Sequence, residues 1–272
     1  MTGVQTCALP ISALHDALQH LARETDSSLF MVLQAAVAIL LTKHGAGTDI
    51  PLGTPIAGRT DQALDQLIGF FVNSLVLRTD VSGDPTIREL LTRIRTYDLE
   101  AYEHQDLPFE QLVEHLNPSR AGNHHPLFQT MLVLQNQSEA RLDLPGLTTE
   151  ARSPHTTISK FDLTFAFAPA EDDAHSLHGT LEYATELFTQ ETVTALVTRL
   201  VRLLAEVAAN PDARVSALEI TSAQERAELL TIGRGAHTSV PEASLFDLFE
   251  RSAHAAGEIG RASCRERVYL AV

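Results

Sequence analysis

Asn73 is the first side chain in this sequence that demands a chemical explanation. It stands alone in Ile68-Gly-Phe-Phe-Val-Asn-Ser-Leu-Val-Leu-Arg78, a run otherwise built from β-branched and large apolar residues. With a strand period of two, Asn73 shares a face with Phe71, Leu75 and Leu77. An amide buried without a hydrogen bond costs on the order of 1–3 kcal/mol, so Asn73 needs backbone partners or a ligand. Other polar residues stand where elements start or stop. Arg59 follows Gly58 in a polar loop, Arg78 closes the Asn73 run, and Gln105 and Asp106 fall at a helix end before Pro108. His124 and His125 are adjacent ahead of Pro126 and read as loop histidines. The remaining histidines show no metal-ligand spacing and read as solvated or locally hydrogen-bonded groups.

These residues must be held by a mixed set of helices and strands. Ala13–Glu24 spaces Leu14, Leu18 and Leu21 as an amphipathic helix. Leu29–Lys43 is apolar nearly all round apart from Gln34, which predicts a central core helix closed by Gly45 and Gly47. Asp49–Ile56 reads as a short strand, irregular or near an edge because it carries Pro51. Ile68–Arg78 reads as a buried strand. Asp84-Pro85 predicts a helix start, with Ile87, Leu90, Leu91, Ile94 and Ala101 on its buried stripe. His104–Pro108 breaks that helix, and Phe109–Leu116 predicts another. Leu127–Leu134, Lys160–Pro169 and Leu177–Tyr183 read as strands, with Phe161, Leu163, Phe165 and Phe167 on one face. Phe188–Ala209 predicts a long helix. Arg141–Pro154 and Glu171-Asp-Asp173 read as turns, and Pro118–Asn123 as a loop. Val215–Gly257 is polar and linker-like, with helix patterns at Ala223–Leu230 and Leu245–Ala253.

The chain has 272 residues, 44% of them hydrophobic, and a formal charge of −15. That length supports one large domain or two small ones. The acidic balance argues against nucleic acid as a partner. The longest apolar run is too short to span a bilayer, and no signal-peptide pattern opens the chain, so neither a membrane nor a secreted setting is expected. Both ends differ in character from the rest. Residues 1–12 carry no amphipathic period, and residues 258–272 turn abruptly basic. Both resemble translations of sequencing-library adaptor DNA and are expected to lie outside the genuine chain. The two cysteines, Cys7 and Cys264, fall in these ends, which leaves a cysteine-free middle suited to the cytoplasm. There is no internal repeat, low-complexity tract, Gly-rich phosphate loop or metal-ligand spacing.

Four motifs carry a resemblance. Gly53-Thr-Pro-Ile-Ala-Gly-Arg59, Ile68-Gly-Phe-Phe-Val-Asn-Ser74, His104-Gln-Asp-Leu-Pro-Phe-Glu110 and Ser119-Arg120 with Pro126-Leu-Phe-Gln129 stand in order and at fitting distances. Together with Lys160-Phe-Asp-Leu163 and Leu181-Glu-Tyr-Ala184, they resemble the later signature motifs of the condensation domain of non-ribosomal peptide synthetases. The resemblance covers residues 13–222, and residues 223–257 resemble the linker and start of an adenylation domain. It implies an α/β, chloramphenicol-acetyltransferase-like fold, of which this chain resembles the C-terminal lobe only. It also implies amide formation between a carrier-bound acyl or peptidyl thioester and a carrier-bound aminoacyl amine. No cofactor bound directly to this chain is implied; 4'-phosphopantetheine belongs to the upstream and downstream carrier domains. The other implied partners are the N-terminal condensation lobe and the adjacent adenylation domain. A lobe of an epimerisation or heterocyclisation domain, or a carrier-binding module without chemistry, are the alternative readings.

The resemblance assigns roles residue by residue. The family's His-His-x-x-x-Asp-Gly motif belongs to the N-terminal lobe and does not occur in this sequence. After His124-His125, Gln129 and Thr130 stand where Asp and Gly would be required. No catalytic residue is therefore expected here, and the chain alone is expected to be inactive. Arg59 matches an arginine that pairs across the lobe interface with the aspartate of that motif. Asn73, Arg78, Gln105 and Asp106 match positions beside the tunnel between the lobes. Phe109 is expected to anchor its loop to the core. The lobe face turned towards the partner lobe is expected to be apolar.

Overall fold

The computed structural model describes residues 2–7, 12–58, 62–64, 67–118, 125–135, 158–169, 176–235 and 243–255, with side chains from Leu14 onward. The chain forms two compact units, Met1–Ser222 and Ala223–Val272. The first unit contains β1 (Thr2–Cys7), α1 (Ser12–Glu24), α2 (Leu29–Lys43), β2 (Asp49–Ile56), β3 (Asn73–Asp80), α3 (Ile87–Glu103) and α4 (Phe109–Leu116). It continues through β4 (Thr130–Leu134), β5 (Leu163–Pro169), β6 (Leu177–Ala184) and α5 (Gln190–Ala209). The second contains α6 (Ala223–Arg234) and α7 (Leu245–Ala255).

One mixed sheet of six strands runs in the order β1-β6-β5-β4-β2-β3. β5 and β6 alternate residue by residue, burying Leu163, Phe165 and Phe167 on one strand and Leu177, Leu181 and Tyr183 on the other. This two-residue period turns one sheet face towards the helices. Helix α2 is the hub. Its sequence is apolar on every side, and Met31 to Leu40 are all buried. It packs against α1, α3 and α5 and against β2 and β3. Ser28 caps it by accepting from Met31 N, which is worth about 1 kcal/mol. Helix α5 buries the stripe Val193, Leu196, Val197, Leu200, Leu203, Leu204 and Val207, as its periodicity predicts.

Several boundaries differ from expectation for identifiable reasons. The run predicted as a strand from Ile68 pairs only from Asn73, opposite Ile56 at the end of β2. Gly58, at φ +60°, turns the chain away there, and a β-carbon on it would meet Phe71 O at 1.8 Å. Ile68 and Phe70 are consequently exposed. β4 begins at Thr130 rather than Leu127 because Phe128 is drawn into packing instead of pairing. β2 lies one strand in from the edge, with β3 outermost. Its parallel pairing to β4 is confined to Leu52↔Thr130 and Gly53↔Met131; Pro51 and Pro55 have no N–H to extend it. α3 starts after Thr86, in a capping box with Glu89. Asp84 does not cap it: its carboxylate accepts from Ser216 N and Oγ, both at 2.8 Å.

Residues 2–7, for which the sequence predicts no element, pair antiparallel with β6 from Thr2↔Ala184 to Cys7↔Gly179. Main-chain pairing at an exposed sheet edge makes few demands on side chains. The turns read at 141–154 and 171–173 lie outside the described residues, as does most of the 118–123 loop. In the second unit, α7 is capped reciprocally. Ser244 Oγ accepts from Asp247 N, and the Asp247 carboxylate accepts from Ser244 N. Among the described residues no single helix is long and apolar enough to cross a membrane.

Candidate functional site

Asn73 opens β3 and faces the turn that joins α3 to α4. Its Nδ2 donates to Gln105 O at 2.9 Å and to Leu107 O at 2.8 Å. Its Oδ1 accepts from Phe109 N at 3.1 Å and from Ser74 N at 2.9 Å. Both amide hydrogens and both acceptor sites of the side chain are thus engaged. The carboxamide fixes the 105–109 turn, whose breaking residue Pro108 offers no side-chain cap to α4. Gln105 contributes its carbonyl, and its side chain is half-buried; Asp106 is exposed on the same turn.

The turn delivers Phe109 to an aromatic cluster. Its ring stacks on His125 at 5.3 Å and meets Phe128 edge-on at 5.9 Å. His125 lies 4.1 Å from Phe128 and 5.1 Å from Phe161, and Phe128 stacks on Phe161 at 5.2 Å. Such ring pairs are worth roughly 0.5–1.5 kcal/mol each beyond area burial. Phe128 is fully buried over Gly53, where a β-carbon would stand 2.1 Å from its ring. The motifs that are separate in sequence are therefore one packed body. Gly53 and Gly58 serve Phe128 and Phe71, Asn73 holds the 105–109 turn, and Phe109 locks onto the 125–128 segment.

His125 is the titratable member of this cluster. Burial pushes its imidazole below the ordinary 6.5, partly offset by a hydrogen bond with the Phe128 backbone, so the ring is neutral at pH 7. Its buried Nδ1 has no hydrogen-bond partner among the described residues. The sequence places His125 in a loop, and the only signal of its packing is the apolar Leu127-Phe128 pair two residues on.

Arg78 is not brought to this constellation. It sits five residues along β3 from Asn73, roughly 17 Å away at strand rise, and on the opposite, exposed face. Its guanidinium donates to Asp49, with Nε to Oδ1 at 3.3 Å and Nη2 to Oδ2 closer still. That hydrogen bond is the first cause raising its pKa above the ordinary value. Both side chains are solvated, so the pair is worth about 0–1 kcal/mol. Arg59 lies outside the described residues, as do Ser119, Arg120 and His124. Beside Asn73 the chain exposes Leu67, Ile68, Phe70 and Val72, and Leu107 on the clamped turn. Among the described residues no three His, Cys, Asp or Glu side chains are grouped to hold a metal ion.

What this body offers is shape, a hydrogen-bonded turn and an apolar margin. Comparison with known proteins gives it a family. The condensation-domain family matches residues 5–230. The chain is 48% identical over 242 residues to a dimodular nonribosomal peptide synthase of Bacillus subtilis (strain 168), covering 88% of this chain and 10% of that protein. It is 39% identical over 233 residues to an isonitrile lipopeptide synthase of Mycobacterium tuberculosis (strain ATCC 25618 / H37Rv), covering 85% of this chain and 9% of that one. Among solved structures, the X-domain from teicoplanin biosynthesis superposes with a TM-score of 0.75 at 33% identity, over 81% of this chain and 50% of that one. A four-domain nonribosomal peptide synthetase superposes with a TM-score of 0.77 over 94% of this chain and 20% of its own length; at 21% identity it supports the fold alone. The fold is the chloramphenicol-acetyltransferase-like α/β fold of these domains, and the chain spans about a tenth of the curated relatives and half of the X-domain. This chain belongs to the condensation-domain family of non-ribosomal peptide synthetases.

Proposed function

We propose that residues 13–222 are the C-terminal lobe of a condensation domain within a larger synthetase, and that residues 223–257 lead into an adenylation domain. Residues 1–12 and 258–272 are read as adaptor-derived. The parent forms an amide. The acceptor's amine attacks the donor's thioester carbonyl, an oxyanion forms, the carrier thiolate departs, and the amine's lost proton ends on that thiol. Both acyl groups arrive on the 4'-phosphopantetheine arms of carrier domains, which are substrates here rather than resident groups. The reaction needs alignment, proton handling and oxyanion stabilisation. This lobe supplies alignment; the N-terminal lobe with its His-His-x-x-x-Asp-Gly motif supplies the proton-handling group.

The observation that carries this reading is the packing of the family's separate motifs into one body around Asn73 and Phe128. Arg59, Asn73, Arg78, Gln105 and Asp106 remain the candidates for the interface and tunnel wall. Asn73 and Gln105 act through the turn geometry, and Arg59 acts across the lobe interface. The cytoplasm is the proposed setting. A second reading, a recognition module without chemistry, draws support from the teicoplanin X-domain, one structure of which is a complex with OxyB.

The test is a turnover assay with donor and acceptor loaded on carrier domains. The chain alone should give no amide above background, and the chain expressed in frame with an N-terminal lobe should give it. Amide formation by the chain alone overturns the half-domain reading. Carrier binding without turnover in the two-lobed form favours the recognition module.

A further inference from the structure

Asp98 is wholly buried, yet among the described residues no cation accompanies it. It lies on α3 where that helix packs on α2 and β3. Its Oδ1 accepts from Gln34 Nε2 at 3.1 Å, and the second Gln34 amide hydrogen goes to Thr79 Oγ1 at 3.1 Å. Two buried oxygens of this trio have no partner among the described residues: Gln34 Oε1 and Asp98 Oδ2. They are the two atoms that would complete a second hydrogen bond between the same two side chains. As carboxylate and amide both are acceptors, and neither can donate. One proton on Asp98 Oδ2 would supply the donor that this pair of oxygens lacks.

We propose that Asp98 is held in the core as a carboxylic acid bonded from Oδ2 to Gln34 Oε1, and that loss of this proton loosens the seat of α3 on α2 and β3. The seat matters because α3 ends in the 104–108 turn that Asn73 clamps. Burial also pushes the Asp98 carboxyl from its ordinary 3.8 to about 6, opposed only by the Gln34 hydrogen bond. Among the described residues around it, only the Gln34 amide stabilises the anion. From α2, Gln34 is the sole polar residue in the buried stretch Met31–Leu40. From β3, Thr79 faces inward, whereas Arg78 and Asp80 lie on the exposed face and pair with Asp49 and Arg93. On α3 itself, the Tyr97 and Tyr102 phenols are raised, Tyr102 to about 12, chiefly by burial; both are neutral at pH 7.

The sign follows from the raised value. Stability contributed by this group is full below 3.8 and is lost as pH rises to and through about 6. Asp98→Asn supplies that donor as an amide N–H and removes the titrating proton. Relative to D98N, the wild-type unfolding equilibrium constant should rise by roughly 10–100-fold between about pH 4 and about pH 7.5. Carbon-13 NMR of the aspartate carboxyls in the full chain should show one signal, lost in D98N, titrating near 6. Parallel stability profiles overturn the proposal. So does an Asp98 carboxyl that titrates in the ordinary carboxylate range, which wild-type protein alone can reveal if D98N does not fold.

Discussion

Gly53 lies beneath the Phe128 ring so closely that a β-carbon at 53 would stand 2.1 Å from Phe128 Cε2. The ring is fully buried and touches His125, Phe109 and Phe161, so it has little room to retreat. Gly53→Ala should destabilise the lobe by about 1–3 kcal/mol, the usual cost of overpacking. Denaturant unfolding measures this. Phe128→Leu made together with Gly53→Ala should recover part of the loss, and a purely additive double variant would contradict the contact.

The Asn73 side chain spans four backbone partners on two segments. Asn73→Ala should cost about 2–3 kcal/mol, because carbonyls of the turn and the Phe109 N–H lose their partner. Asn73→Asp keeps the acceptor for Phe109 N but sets a carboxylate against two carbonyl oxygens, and should rescue little. Hydrogen exchange at Phe109 should speed up in both variants. Unchanged protection there would show that the turn is held by something else.

His125 should make the lobe sensitive to acid. Its folded value is depressed below the ordinary 6.5, so its contribution is full above 6.5 and falls as pH drops through the lower folded value. His125→Phe keeps an aromatic ring and should remove that slope. The Asp98 slope has the opposite sign, so the two single variants should change the stability profile in opposite directions. Identical profiles for wild type and His125→Phe would show that the ring titrates normally.

The segment beside Asn73 exposes Ile68 and Phe70 almost completely, at 105% and 89%. Apolar surface of this kind promotes association. Light scattering of the full chain should show self-association that Ile68→Ser with Phe70→Ser reduces, with no loss of unfolding cooperativity. A monodisperse wild-type monomer that binds no hydrophobic dye would remove the case for a partner surface here.

Elements whose pattern repeats over several turns or strand residues are legible in the unfolded chain. The nearly all-apolar α2, the stripe of α5 and the alternation of β5 and β6 are local consequences of periodicity, and they needed no partner to be read. The sequence also carried the family, because the order of short motifs survives without coordinates. How those motifs contact one another appears only in the folded chain. The sequence leaves Asn73 with backbone partners or a ligand as alternatives; the fold supplies the backbone partners, on a turn 32 to 36 residues away. Ile68 and Phe70 read as strand because their side chains suit one, but pairing needs a neighbour, and β2 ends opposite Asn73. Arg78 and Asn73 belong to one motif-bearing strand, and only its two-residue alternation in the sheet shows that they stand on opposite faces, Arg78 on the exposed one. Gln34 was visible as the odd residue in an apolar helix, and Asp98 falls on the predicted buried stripe of α3, four residues after Ile94 and three before Ala101; that the two side chains meet is decided only when α3 closes onto α2. Periodicity is a property of one segment, while hydrogen-bond satisfaction and burial belong to pairs of segments, and only the folded chain brings those pairs together.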